Sequence, residues 1–390
     1  MKFEQMTLDD ILTFKRGHDL PHSQRVMGSV PVVSSSGITG YHDQYIDDGE
    51  GVITGRYGTL GEIHYVNGKY WPLNTTLYVT DFKNNFPKFI YYFLKTIDFE
   101  GANSAGAVPG INRNNLKNIV VRVPCTSTQK KIASILSNYD DLIQTNQQRI
   151  KLLEEAAQRL YDEWFVKLRF PNHEQVPVVD GVPEGWERGA VYDFADILSG
   201  GTPKTTNTEF WDGDIPFFTP KDSPSSFFTF SCEKTITQAG LKSCNSPLYP
   251  ENSLFITARG TVGKICLAGV PMAMNQSCYS IKPKQNFSPY YFYLALQRSI
   301  AQIKQTANGG VFDAIIVDTF KSIDMLRPNL HLAESFAVMI EPFFGQIKSL
   351  IIQNQKLMQA RDDLLPRLMS GRLDTSTLSA VGESDAAAQQ

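Results

Sequence analysis

The sequence predicts an α+β protein in which two β-rich domains are separated by two long helices, the helices forming an antiparallel coiled coil and the whole making a pseudo-two-fold internal repeat. Three observations lead there. A phrase from the first third of the chain returns later, Thr54 to Ile63 (TGRYGTLGEI) as Thr257 to Ile265 (TARGTVGKI). Short apolar runs broken by Gly, Pro, Asn and Ser surround each copy, the pattern of strands joined by long loops. Each copy is then followed by a stretch with apolar residues every three or four positions, the period of a helix buried along one stripe.

The repeat extends well beyond that phrase. Val30-Pro31-Val32-Val33 corresponds to Ile215-Pro216-Phe217-Phe218, and Asn74 with Tyr78 to Asn275 with Tyr279. Phe86 to Leu94 corresponds to Phe287 to Leu296, and Leu116 to Ile119 with Pro124 to Phe320 to Ile323 with Pro328. The offset drifts along the chain, as loops of unequal length on a shared framework require.

In chain order, residues 1–125 form the first β-rich domain, with strands expected at 51–57, 77–79 and 119–123 and a helix near 88–96. Residues 126–170 form the first long helix, since no proline interrupts the chain between Cys125 and Pro171. Residues 171–330 form the second domain, with strands at 254–257 and 279–281 and a helix over 289–306. Residues 331–374 form the second long helix, with a kink or break expected near Pro342 because proline removes a helical donor and crowds the preceding turn. The small polar residues 375–390 read as a disordered tail.

The first helix carries a seam of Ile132, Leu136, Tyr139, Ile143, Asn146, Ile150, Leu153, Ala157, Leu160 and Trp164. The second carries Phe336, Ile340, Phe343, Ile347, Leu350, Asn354, Leu357, Arg361, Leu364 and Leu368. A polar residue in such a seam costs stability and fixes register. If Asn146 meets Asn354 with the helices antiparallel, Ile150 meets Leu350, Ile143 meets Leu357, Leu136 meets Leu364 and Trp164 meets Phe336. The paired region is then about 50 Å long.

Composition narrows the function. Of 390 residues, 37 are basic and 40 acidic, a net charge of −3. The balance is also local, 12 against 12 in residues 1–125 and 13 against 13 in 181–330. A polycation that coats nucleic acid by bulk charge is excluded, so any such binding rests on charge arranged locally. The N-terminal residues have no apolar signal core and no 18-residue apolar run occurs, which places the chain in the cytoplasm by default, with no membrane partner. The five cysteines form no Cys-x-x-Cys pair, which points to buried reduced thiols and to no metal site.

The order domain, helix, domain, helix, the twice-used T-x-R-(x)-G-T-x-G-x-I phrase, the Trp211-Asp-Gly-Asp-Ile-Pro216 opening and the Gln129 to Leu136 helix entry together resemble the specificity (S) subunit of type I restriction–modification enzymes. The resemblance covers residues 1 to about 374. It implies that each β-rich domain is a target-recognition domain for one half of a bipartite, asymmetric site on double-stranded DNA. It also implies that the helices set the spacing of the halves and dock two methyltransferase (modification) subunits, with restriction/translocase subunits completing the complex. S-adenosylmethionine, ATP and magnesium would be held by those partners, with no cofactor in this chain.

Base readout needs side chains that reach groove edges, whereas phosphate contacts give grip. The repeated loop offers Arg56, Tyr57 and Thr59 in the first domain, with Arg259 and Thr261 in the second. Loops that differ between the copies suit halves of different sequence. They supply Arg16, Ser34, Ser35, Ser36, Arg113 and Asn114 in the first domain and Thr202, Lys204, Lys221 and Asn308 in the second. Each also has a plain reading as a turn former, and Arg56 and Arg259 could pair internally. The aromatic runs Phe89–Phe93 and Tyr290–Tyr293 have helical spacing and read as core. Glu154, Glu155, Asp162 and Glu163 read as a solvated acidic face, with partner contact as the alternative.

No catalytic residue is assigned. There is no Asn/Asp-Pro-Pro-aromatic run of an adenine methyltransferase, no Gly-Lys-Ser/Thr phosphate loop and no Gly-x-Ser-x-Gly elbow. Asp212 and Asp214 have no following Glu-x-Lys to complete a nuclease site, so they read as a turn. The sequence points to a non-catalytic subunit; the rival reading is a scaffold of two β-rich modules on a coiled coil that binds proteins or glycans and not DNA.

Overall fold

The computed structural model describes residues 2–99, 110–111, 113–285, 287–306 and 314–375. The chain divides into two units, one of Met1–Gln144 with Gln355–Gln390 and one of Thr145–Asn354.

The first unit holds β1 (Phe3–Thr7), β2 (Thr13–Arg16), β3 (Val30–Ser34), β4 (Gly37–His42), β5 (Asp47–Gly55), β6 (Ile63–Pro72), β7 (Thr76–Asp81) and β8 (Val120–Pro124). With them are α1 (Leu8–Ile11), α2 (Pro87–Leu94), α3 (Arg113–Lys117) and the start of α4 (Thr126–Tyr161). Six strands form one sheet in the order β2-β7-β5-β6-β3-β4, while β1 pairs with β8. Strand alternation explains why β5 is buried on both faces. Val52 turns toward a core with Leu77, Val79, Phe89, Ile90 and Phe93, and Ile53 turns to the other face with Val33, Tyr70 and Tyr78.

The second unit holds β9 (Val178–Val179), β10 (Val182–Pro183), β11 (Glu187–Ala190), β12 (Ala195–Ser199), β13 (Trp211–Phe218), β14 (Phe228–Thr229) and β15 (Thr235–Ile236). They are followed by β16 (Leu254–Thr257), β17 (Ile265–Ala268), β18 (Ala273–Met274), β19 (Cys278–Pro283) and β20 (Asp324–Arg327). Its helices are the end of α4, α5 (Val191–Phe194), α6 (Gln238–Lys242), α7 (Pro289–Thr306), α8 (Val317–Ser322) and the start of α9 (Leu330–Met369). The sheets are ordered β12-β19-β16-β17-β14 and β15-β13-β18, with β11 on β20 and β9 on β10.

The duplication read in the sequence is a duplication of topology. β2-β7-β5-β6 has its counterpart in β12-β19-β16-β17, and β1 with β8 in β11 with β20. The parallel step of β3 beside β6 returns as β13 beside β18. Individual bonds recur too. The Leu73 N–H donates to Val33 O at 2.8 Å, and the Asn275 N–H to Phe218 O at 2.9 Å. The aromatic runs are core as expected, with Phe89, Tyr92, Phe93, Tyr291, Phe292 and Tyr293 all buried.

The helix seam is found inside each unit. In the second, the buried Asn146 donates through Nδ2 to Asn354 Oδ1 at 3.0 Å and to Gln353 Oε1 at 3.1 Å. Trp164 packs on Phe336 with ring centroids 5.4 Å apart. The advance from 146 to 164 along α4 is matched by a retreat from 354 to 336 along α9, so the pairing is antiparallel. Ile150 and Leu350 share one core, as do Leu136 and Leu364 in the first unit. There Asp140 takes Arg361 Nη1 at 2.5 Å and the Tyr92 hydroxyl at 2.5 Å. The pairing brings Arg361, a cation placed in an apolar seam, to a carboxylate.

Two details differ from expectation. α9 runs unbroken through Pro342 and Pro366. Pro342 is exposed, and the carbonyl it strips of a donor belongs to Val338, itself 74% exposed, so water can satisfy it. The buried seam residue after Ile340 is Phe344, while Phe343 is only partly covered. α9 is also long and apolar enough by composition to cross a membrane. Its apolar stripe, Phe336, Ile340, Phe344 and Ile347, lies in the core of the second unit.

Candidate nucleic-acid interface

The repeated phrase forms the connection from β5 to β6 in the first unit and from β16 to β17 in the second. It turns sharply at left-handed glycines, Gly58 and Gly61 in one copy and Gly260 and Gly263 in the other. Both copies are fastened alike. The Arg56 N–H donates to Thr75 O and the Ala258 N–H to Ser277 O, each at 2.8 Å. The Ile111 N–H donates to Arg56 O at 3.0 Å, and the Ile315 N–H to Ala258 O at 2.9 Å. A Cβ on Gly55 would stand 1.9 Å from Thr59 O, whereas Thr257, at the corresponding place in the second copy, donates its hydroxyl to Thr261 O.

The segment after the third strand meets this loop in each unit. In the first, Ser35 lies against Gly55 and Gly58, and its carbonyl oxygen lies 3.1 Å from His64 Nε2. In the second, Pro220 O accepts from Thr261 Oγ1 at 3.1 Å, which puts Lys221 beside Arg259 and Thr261. The end of β2 arrives at the same edge of the first unit, where Arg16 faces Leu77 and the Gly17 N–H reaches Thr76 O at 3.0 Å. Its counterpart brings Thr202, whose hydroxyl donates to Gln276 Oε1.

One edge of the first unit thus gathers Arg16, Ser34, Ser35, Ser36, Arg56, Tyr57 and Thr59. One edge of the second gathers Thr202, Lys221, Arg259 and Thr261. Lys204 stands further along, its carbonyl accepting from Trp211 Nε1 at 3.4 Å. Arg113 begins α3 and lines a cleft with Leu8, Asp9 and Thr13, at the start of β2 and away from Arg16. Asn114 is exposed on the same short helix and is engaged in an interaction. Asn308 lies outside the described residues. Sequence reasoning missed His64 and Gln276, which are joined to the loops only through the fold; nothing in their local sequence marks them.

Among the described residues, Arg16, Arg56, Arg113, Lys204, Lys221 and Arg259 have no ion-pair partner, whereas Lys284, Arg327, Lys348 and Arg361 are paired with Asp196, Glu187, Glu251 and Asp140. Arg56 instead lies over the Tyr57 ring at 4.5 Å and donates to its hydroxyl at 3.2 Å, a stack that pre-orients the guanidinium. Arg259 stands where Tyr57 stands in the first copy, since Ala258 makes the bonds of Arg56, and among the described residues no aromatic ring lies under its guanidinium. His18, at the same edge of the first unit, is held below the usual histidine range by desolvation and by Lys15.

Asp212 and Asp214 are exposed on β13 at a bulge, with Asp212 in the left-handed region. Among the described residues, no group of three His, Cys, Asp or Glu side chains is placed to hold a metal ion. Cys266 and Cys278 are buried thiols, and Cys125 is exposed at the start of α4.

Comparison with known proteins gives a consistent picture. A family profile described as the type I restriction modification DNA specificity domain matches residues 1–155 and 183–352. The specificity subunit of the type I restriction enzyme HindI from Haemophilus influenzae is 26% identical over 333 residues, 69% of this chain and 72% of that one. That of MjaIX from Methanocaldococcus jannaschii is 26% identical over 198 residues, 50% of this chain and 46% of that one. The crystal structure of a type I restriction-modification S subunit from M. genitalium superposes with a TM-score of 0.60 at 15% identity, over 94% of this chain and 96% of that chain. That likeness is one of fold.

Proposed function

The chain belongs to the type I restriction–modification DNA specificity family, and from that premise we propose that it is the subunit that selects the DNA sequence for a modification and restriction complex. Each unit reads one half of a bipartite, asymmetric site through the loop edge described above. One observation carries this reading. The two edges are built on the same backbone bonds but present different side chains, Ser35 with a stacked Arg56 and Tyr57 in one, Lys221 with an unstacked Arg259 in the other. A framework kept while its contacting groups change is what reading two unlike half-sites requires.

In this reading α4 and α9 fix the separation of the readers and dock two methyltransferase subunits. Restriction/translocase subunits join them. The chain itself performs no catalysis and holds no cofactor; S-adenosylmethionine, ATP and magnesium act in the partner subunits. The complex works in the cytoplasm. With near-zero net charge per reader, grip on phosphate comes largely from the assembled complex.

The experiment is methylome sequencing of cells with and without the chain. The expected result is loss of one two-part methylated motif with a fixed gap. An unchanged methylome would overturn the proposal and return the protein-binding scaffold.

A further inference from the structure

Glu154 does not behave as part of a solvated acidic face. Its Oε1 accepts from Ser226 Oγ at 2.5 Å and from the Phe227 N–H at 2.9 Å. Burial pushes its carboxyl above the ordinary range while those two donors pull it back. A carboxylate leaves water at reasonable cost only where fixed donors replace its hydration. Here both donors belong to one strap, residues 219–227, which runs from the end of β13 to the start of β14.

The strap is tied at both ends to the loop edge of the second unit. At its start Pro220 O accepts from Thr261 Oγ1 at 3.1 Å. At its end the Leu267 N–H donates to Phe227 O at 2.8 Å, on the strand that leaves the same loop. Between the ties sits Lys221, on a single helical turn held by Asp222, which accepts from the Thr219 N–H at 2.8 Å and the Glu233 N–H at 2.7 Å. The first unit has only the turn of Ser35 and Ser36 in this place, because β4 follows at once. Among its described residues there is no equivalent of the strap or of its anchor.

We propose that Glu154 is a positioning residue for the second reader: from α4 it holds the strap and so fixes where Lys221 and Thr261 meet DNA. This rests on the reader assignment above. The consequence is one-sided, since a change on α4 should blur one half of the recognised site and spare the other.

Glu154→Ala and Glu154→Gln in the full chain, expressed with its complete modification system and read by methylome sequencing, test this. Glu154→Ala should raise methylation at sites with single-base changes in one half by about tenfold, in line with loss of one good base contact. The half affected should be the one that Arg259→Ala also relaxes, with the other half unchanged. Glu154→Gln keeps an oxygen for the Phe227 N–H and should restore the sharp motif. General damage to the fold would weaken both halves together, so the spared half is an internal control. Equal relaxation of both halves, no relaxation of either, or failure of Glu154→Gln to restore would each overturn the positioning role. A wild-type methylome without a two-part motif would instead overturn the reader assignment, and this inference with it.

Discussion

Replacing Asn146 by leucine should expose how the helix pair is held in register. The side chain is 1% exposed and its two donated bonds, to Asn354 and Gln353, are its visible return for being buried. Its own Oδ1 is buried without a partner. Asn146→Leu removes both bonds, at about 1 kcal/mol each, and takes the donor from Asn354 Oδ1 in a site that is only 6% exposed. Gln353 is exposed and can turn to water. The added desolvation penalty falls mainly on Asn354, so the total loss should be about 2–4 kcal/mol. The double variant Asn146→Leu with Asn354→Leu replaces both partners by apolar groups of similar size and also abolishes the orphaned oxygen. It should recover most of the loss or exceed wild type, with a coupling energy of about 2 kcal/mol in a double-mutant cycle. Urea unfolding followed by circular dichroism gives these values. Additive destabilisation by the two substitutions would refute the pairing.

Three further expectations follow from the same geometry. Gly55→Ala forces a Cβ into Thr59 O and should relax the first half-site in the methylome while leaving the second half readable; relaxation of both halves would contradict the reasoning. Asp140→Ala removes the acceptor of the Tyr92 hydroxyl and leaves Arg361 paired with Asp362 alone, and should lower unfolding free energy by about 2 kcal/mol, against less than half of that for the exposed Lys117 partner change Asp9→Ala. Glu154 has a carboxyl raised by burial, so its contribution to stability is present below the ordinary carboxylate range and is lost as pH rises through its folded-state value. The stability of Glu154→Gln relative to wild type should therefore increase with pH over that interval and then level off; a gap that widens toward acid instead would contradict the burial argument.

Much of this was legible in the sequence because it rests on period and repetition. Seam residues recur every three or four positions whatever they touch, and a lone Asn in each seam pairs by elimination once the helices are antiparallel. The choice between Phe343 and Phe344 was not legible, since both continue an apolar stripe and the drift of 3.6 residues per turn selects between them only in three dimensions. Pro342 misled because the cost of a proline depends on whether the freed carbonyl faces water. The loop residues were found by repetition, yet their grouping on one edge was not, because Ser35 meets Gly58, and Pro220 meets Thr261, only through strand order. Glu154 was hidden for a related reason: its donors lie some seventy residues away and its neighbours are ordinary surface acids.

If the helix pair spaces the two readers as proposed, the antiparallel seam gives that spacer coarse graduations. One residue added to α4 would swing everything after it by roughly 100° and turn the apolar stripe outward. Seven residues restore the stripe to within about 20°, but only if α9 lengthens to match. Seven residues add about 10 Å of helix, close to three base pairs of DNA at roughly 3.4 Å each. Four residues, about 6 Å, leave the stripe roughly 40° off, a local unwinding that a helix pair can absorb, so a spacer of this kind would change its reach in steps of a helical turn or more and not residue by residue.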